Sequence, residues 1–547
     1  MIFAVIFVIM HQSFFPFLKK KIHSIGLGLI VVFYILNGAY YIRNQSLTSD
    51  EADFLNYAFR YVKGQPDRTN PRVDNSKLPV SVLNLTPRMV TQVLNPSLKK
   101  EDGGFSDIMN GRYVTLFVSV FTILLVYVWS KELYGKSAGL FSAFLMSVCP
   151  NNISLAGLVT TDAYSVLFLL LNMYLLWKFC KTNQNRFFLL FSVVLAVSQL
   201  VKQSLFHLYV LAPAVMIIYA AFQKDSFRWL LFLKRLLVFA VIQLVVINTG
   251  YYFHGSFMKL GDYHFMSNLF QGMQQALPGS LRLPFPRPFV DGLDMVKYYD
   301  QLGGGIDKVS SFGKVTILGN SKTGGGFWYY YFVTLFYKTP IPYLVFLVWS
   351  IVTLMKQRTV KVFIQKEFFL LAPVVYFLLM MSFFYQTQCG IRHIVFIYPF
   401  LFIVSGFLIQ FKQMRANRLI LAVLCLYLLV SVGRYAGNYF PYTNEFIIDK
   451  KMAYAKVGSS NLEIRQGYYF AERYLAEHND VKWAPVKPQT GRFIITVRDY
   501  LDISNRHQYD WIQYYKPIGH VAYNFLIINV GKEELISPAI NQSDKDD

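Results

Sequence analysis

The sequence predicts an all-α polytopic membrane protein of about 11 transmembrane helices, with outer-face loops and a small C-terminal α+β domain. Three observations predict it. The 547 residues are 54% hydrophobic and 17% aromatic. Apolar stretches long enough to cross lipid recur along the chain, and they are continuous rather than alternating, so helices are the way to span. The positive charge falls on one set of short loops, as membrane topology requires.

Taken in order, the spans are placed near 25–42, 111–130, 137–155, 160–177, 187–201, 204–222, 236–253, 327–355, 367–386, 391–411 and 418–435. Residues 1–18 are apolar but run into "HQSFFPFLKKK" without a small-residue cleavage pattern, so they read as an interfacial segment rather than a cleaved signal. The four cysteines (Cys149, Cys180, Cys389, Cys425) lie in or beside apolar runs and read as small core residues.

A net charge of +22 raises the question of nucleic acid. Its distribution excludes it. With the start of the chain inside, the inner connections are 19–24, 131–136, 178–186, 223–235, 356–367 and 412–418. They hold nineteen Lys and Arg against only Glu132, Asp225 and Glu367. The basic excess sets topology.

The opposite face then carries the large polar segments 43–110 and 254–326 and a region from 436 to 547. The chain divides into a membrane domain, 1–435, and a C-terminal outer domain, 436–547. In the latter, 446–480 reads as mostly polar helix, while "RFIITV" (492–497) and "HVAYNFLIINV" (520–530) read as strands. The tail "NQSDKDD" reads as disordered.

Ionisable residues at span ends are costly to place and default to function. Asp50, Asp162, Lys202, Lys338, Arg392 and His393 converge on that outer face. In "SLTSDEADFLNYAFRY" (46–61), Thr48 and Glu51 fit a capping box, with Thr48 as N-cap. Phe54, Leu55, Ala58, Phe59 and Val62 then form an apolar stripe, as in a helix lying in the interface. The helix dipole accounts for Glu51 and Asp53. Asp50 is the acid that capping needs least.

Several stretches together carry a resemblance. "TSDEADFLNYA" follows the first span, "LVTTDAYSVLFLLLNMYLLWKF" (158–179) opens another on Thr-Asp, and "LVKQSLF" (200–206) bears a lysine between two spans. "ILGNSKTGGGFWYYYFVTLFYKTPIPYL" (317–344), "CGIRHIVFIYPFLF" (389–402), "YFPYTNEF" (439–446) and "SSNLEIRQG" (459–467) complete the series. In this order they resemble the GT-C membrane glycosyltransferases that use polyprenyl-phosphate sugars. Protein O-mannosyltransferases and the lipid A aminoarabinose transferase are examples. Glu463 to Gln466 depart from the family's usual Asp-Trp-Gly-Gln run, and Ile394 to Phe396 from its proline-containing approach to Tyr398-Pro399.

The resemblance implies an inverting transferase in the plasma (inner) membrane, working on its periplasmic face. The donor would be a polyprenyl-phosphate sugar and the acceptor a glycolipid, polysaccharide or protein, with membrane lipid around it and no nucleic acid. Breaking the sugar–phosphate bond places positive charge on the anomeric carbon and negative charge on the leaving phosphate. A carboxylate must take the acceptor's proton, and fixed cations must face the phosphate. The catalytic candidates are Asp50, with Glu51 as alternate base, and Asp162. The donor-phosphate candidates are Arg392, Lys202, Lys338 and His393, with Arg392 first for its planar fork.

Bland readings stand beside these. Lys202 and Lys338 fit snorkelling lysines, Arg392-His393 a span boundary, and "FWYYYF" an aromatic belt. The two Gly-Gly-Gly runs (303–305, 324–326) read as hinges of outer loops. No His, Cys or carboxylate cluster shows metal-ligand spacing, but some GT-C relatives need a divalent ion, so a divalent metal stays open. A transporter would place its polar groups at the bilayer midplane within repeats. An O-antigen ligase or polymerase would lean on a late outer loop instead.

Overall fold

Long apolar runs leave the backbone no hydrogen-bond partner except itself, and helices dominate the chain accordingly. The structure, a computed structural model, describes residues 16–532 and 535, apart from 69, 96–103, 224–228, 304–312, 412–414 and 505. The N-terminal fifteen residues, the tail from 536 and the second and third glycines of 303–305 lie outside the described residues.

Among the described residues, five helices are long and apolar enough to cross a membrane: Ile22–Asn44, Phe105–Tyr134, Asp162–Thr182, Gln203–Gln223 and Leu230–Thr249. Two bent pairs follow the same composition, Lys136–Ser147 with Pro150–Ala156 and Tyr330–Lys338 with Ile341–Gln357. Shorter apolar helices are Asn185–Ser198, Phe368–Phe384, Val395–Gln410 and Asn417–Gly433. The expected count of about 11 spans is compatible with this set.

The bends correct two expected spans. Proline removes a backbone donor and drives the preceding residue out of the helical region. Cys149 before Pro150 is extended, and the pair turns by 64°. Thr339 before Pro340 is extended too, and there the chain turns by 111°. Residues 327–355 are therefore not one span. Tyr330–Lys338 is a separate element at a steep angle to the 17-residue apolar helix Ile341–Gln357.

The first outer segment also differs in detail. The helix begins at Glu51 with Asp50 at the cap position, and Asp50 makes no side-chain capping bond. Thr48 is not the cap, since its hydroxyl has no partner. Only the Glu51 half of the box forms, with Thr48 N–H donating to Glu51 Oε2 at 3.0 Å. The stripe Phe54, Leu55 and Ala58 is buried against Leu85, Ile108 and Val159, so protein covers it rather than lipid.

The C-terminal region folds around a four-stranded sheet of order β3-β4-β6-β5, with β3 Val481–Trp483, β4 Gly491–Thr496, β5 Gly519–Val521 and β6 Phe525–Val530. A separate hairpin, β1 Lys314–Ile317 with β2 Asn320–Thr323, lies in the second outer segment. Strands β4 and β6 pair antiparallel, and alternate residues bury on opposite faces. Phe493, Ile495, Leu526 and Ile528 pack with Val457 and Leu462, while Ile494, Phe525 and Ile527 pack with Ala471 of helix Tyr468–Glu477. The expected strand 520–530 is split by Ala522 and Tyr523, which adopt φ of 51° and 65° and turn the chain into a hairpin. The expected helix 446–480 is broken into short pieces and ends in β3.

This region is stitched to the first outer segment. Ser46 N–H donates to Gln466 O at 3.0 Å and Ser49 N–H to Ile464 O at 3.1 Å. The Ser46 hydroxyl donates to Arg465 O and accepts from Tyr468 N–H.

Candidate active site

Each acidic or basic candidate sits where an apolar helix starts or stops, and that is what gathers them. Asp50 precedes helix Glu51–Val62. Asp162 is the first residue of helix Asp162–Thr182, where the helix dipole favours an anion. Lys202 follows Asn185–Ser198, with its N–H on Ser198 O. Arg392 and His393 occupy the turn before Val395–Gln410.

Asp50, Lys202, Arg392 and His393 line one cavity of about 340 Å³. Arg392 donates from a terminal guanidinium nitrogen to Asp50 Oδ2 at 2.8 Å. Lys202 Nζ donates to Asp162 Oδ1 at 2.5 Å, and Thr160 donates to Asp162 Oδ2 at 3.2 Å. Two carboxylate–cation pairs thus meet in one cavity, with Asp162 standing behind Lys202. Asp53, Lys77, Lys297, Asp300 and His207 also line it.

The turn bearing Arg392 is held by residues far away in sequence. Gly390 has φ +86°, and a Cβ there would meet Ser460 O at 2.4 Å, so glycine is required on both counts. Gly390 N–H donates to Tyr330 Oη, and Ile391 N–H to Asn461 Oδ1 at 2.8 Å. Arg392 Nε donates to Cys389 O, and His393 Nδ1 lies 3.3 Å from Tyr331 Oη. On the other side, Gln386 and Thr387 N–H both donate to Asp300 Oδ1. The stretches "SSNLE" and "FWYYYF" therefore contribute the clamp on this turn.

Two sequence candidates lie elsewhere. Lys338 does not line the cavity: it is 0% exposed, with Nζ on Phe440 O at 2.5 Å and Asn461 O at 2.7 Å. The 111° turn at Thr339–Pro340 aims its helix end into the protein. Glu51 is likewise 0% exposed. Both of its oxygens accept from Arg112, Oε1 also from Val159 N–H and Oε2 from Thr48 N–H. Such a carboxylate is fully occupied as a structural tie.

Arg112 itself, fully buried, was not singled out from sequence, although an arginine inside an apolar run is a signal. Asp300 carried no such signal. Among the described residues, Asp502, His507 and Asp510 have ligand atoms within 4.8 Å of one another, a spacing the sequence did not reveal. They belong to the C-terminal region and not to the cavity.

Residues 104–252 match the family model described as dolichyl-phosphate-mannose-protein mannosyltransferase. Over that segment the chain is similar to this mannosyltransferase family. The match takes in helices Phe105–Tyr134 to Leu230–Thr249, and with them Arg112, Asp162 and Lys202. No curated protein matches. Among solved structures, ArnT from Cupriavidus metallidurans bound to undecaprenyl phosphate aligns with a TM-score of 0.46 and 12% identity, over 92% of this chain and 97% of its own. Its apo state aligns at 0.46 and 11% over the same shares. The Archaeoglobus fulgidus oligosaccharyltransferase in the apo form aligns at 0.48 and 12%, over 84% of this chain and 60% of its own.

Proposed function

We propose that this protein transfers a sugar from a polyprenyl-phosphate donor to an acceptor hydroxyl, with inversion, on the outer (periplasmic) face of the inner membrane. One observation carries the reading: Asp50–Arg392 and Asp162–Lys202 pair carboxylates with cations around a single cavity at the ends of apolar helices. The description of the matched family, which couples dolichyl phosphate to mannose, supports a polyprenyl-phosphate donor.

In this reading Arg392 and Lys202 receive the donor phosphate. Without donor, Arg392 holds Asp50. A donor phosphate competes for the same guanidinium and releases the carboxylate when it is needed. Asp50 then takes the acceptor's proton as the acceptor oxygen bonds to the anomeric carbon. The bond from that carbon to the phosphate oxygen breaks, and its electron pair leaves with the polyprenyl phosphate. Asp162 positions Lys202. His393 stays behind Arg392 against Tyr331. The acceptor is a glycolipid or envelope polymer in preference to a protein, and a divalent ion remains compatible with the acids of the cavity.

The test compares wild type with Asp50→Asn, purified in detergent and given radiolabelled polyprenyl-phosphate sugars with envelope extract. A loss of about 10²–10⁴-fold in transfer is expected, the usual size of a general-base contribution. Asn keeps the shape and the capping capacity. Undiminished transfer by a folded Asp50→Asn protein would remove Asp50 from the mechanism.

A further inference from the structure

A second cavity, of about 380 Å³, lies between the end of the last apolar helix and the C-terminal region. It shares no lining residue with the cavity of Asp50 and Arg392. Arg434, Tyr435, Asn438, Arg473, Glu477 and Tyr523 line it. Arg434 follows directly on Gly433, where helix Asn417–Gly433 ends, so it stands at the depth of lipid headgroups. Arg434 and Arg473 are both exposed, and neither is in an ion pair among the described residues.

The wall opposite these cations is built with strain. Ala522 and Tyr523, neither a glycine, both hold positive φ, a conformation that persists where the surroundings enforce it and that clusters at ligand sites. It sets the Tyr523 ring on Tyr435, with centroids 4.1 Å apart and the planes stacked. Asn438 Nδ2 donates to Ala522 O at 2.7 Å. That bond fixes the amide's orientation and leaves Asn438 Oδ1 buried without a donor, a deficit a ligand hydroxyl would satisfy.

We propose that this cavity binds the phosphate-bearing, hydroxylated headgroup of an anionic lipid in the leaflet facing the C-terminal region. Arg434 and Arg473 hold the phosphate, as planar guanidinium forks do. A headgroup hydroxyl donates to Asn438 Oδ1, and the Tyr435–Tyr523 stack walls the site. Glu477 disfavours headgroups with a second negative charge at that end.

Full-length protein, delipidated in mild detergent, is titrated with phosphatidylglycerol, and bound lipid is counted by native mass spectrometry. Wild type should hold one phosphatidylglycerol at least tenfold more tightly than Arg434→Gln/Arg473→Gln, and at least tenfold more tightly than phosphatidylcholine. Arg434→Lys/Arg473→Lys should retain part of that preference. Asn438→Asp, which keeps the side-chain shape and adds a charge, should weaken binding as well and serves if the double glutamine variant unfolds. Equal phosphatidylglycerol occupancy in wild type and the folded variants overturns the site. Equal binding of phosphatidylcholine overturns its charge selectivity. Displacement by millimolar inorganic phosphate assigns the cavity to free phosphate and overturns the lipid.

Discussion

Lys338 Nζ donates to the backbone carbonyl of Asn461 at 2.7 Å. The side chain of that same asparagine accepts from Ile391 N–H, one residue before Arg392. Lys338 therefore acts on the cavity without entering it. Its ammonium anchors Asn461, and Asn461 sets the turn that aims the guanidinium at Asp50. Replacing Asn461 with Ala leaves Ile391 N–H without its partner and frees Tyr330 Oη and Val457 O from the amide. A stability loss of about 2–4 kcal/mol is expected from buried groups left unmade. Transfer should fall through a raised donor KM, read from initial rates at varied donor concentration.

Glu51 and Asp50 are neighbours with opposite expected phenotypes. Removing one partner of a buried ion pair costs about 3–5 kcal/mol. Glu51→Ala should therefore lower the melting temperature in detergent and reduce the yield of monodisperse protein. Asp50→Asn should melt like wild type. Glu51→Gln with Arg112→Met should cost less than the sum of the single changes, since the two groups share one interaction.

Arg392→Lys keeps a charge but loses the fork. It should raise the donor KM by roughly tenfold, about 1.4 kcal/mol, with a smaller effect on kcat. Lys202→Met removes the cation paired with Asp162 and leaves that buried carboxylate only the Thr160 hydroxyl, so both activity and thermal stability should fall. Rates at saturating donor, together with melting curves, separate the two variants.

Glu463 is buried, and that burial pushes its carboxyl up to about 7. Arg498 and two backbone N–H donors oppose that rise without cancelling it. A folded-state value above the unfolded 4.5 means that the protonated form favours folding. That contribution is present in full below pH 4.5 and is lost as pH rises through 7, amounting to about 3 kcal/mol. Melting temperature should therefore carry a downward component between about pH 4.5 and 7 that Glu463→Gln removes. A slope equal in wild type and Glu463→Gln would show that Glu463 does not contribute it.

Much of this arrangement was legible because membranes impose order on sequence. A span end fixes the side on which a charged residue emerges, so Asp50, Lys202, Arg392 and His393 could be assigned to one face before any geometry. Position along the membrane normal says nothing about direction within that face. Lys338 shows the limit. Pro340 was visible as a helix breaker, but the size of the turn, which buries the ammonium, depends on what packs around it. The split between Asp50 and Glu51 depended on Arg112 reaching from another helix. Asp300 was silent in sequence because its part at the Arg392 turn is tertiary, the two amide hydrogens it takes from residues 386 and 387. In the C-terminal region the alternation of β4 and β6 was plain. The break at Ala522 was not, since alanine and tyrosine seldom adopt positive φ.

The pairing of Ser46 and Ser49 with Gln466 and Ile464 has a consequence for biosynthesis. The ribosome makes the Asp50 loop early and its backbone partners more than four hundred residues later. All the apolar helices have been synthesised by then. A nascent chain with every span inserted still lacks the strip that holds Asp50 in register and the asparagine that sets the Arg392 turn. The cavity is completed last, so a C-terminally clipped protein would carry its apolar helices without the contacts that complete the cavity.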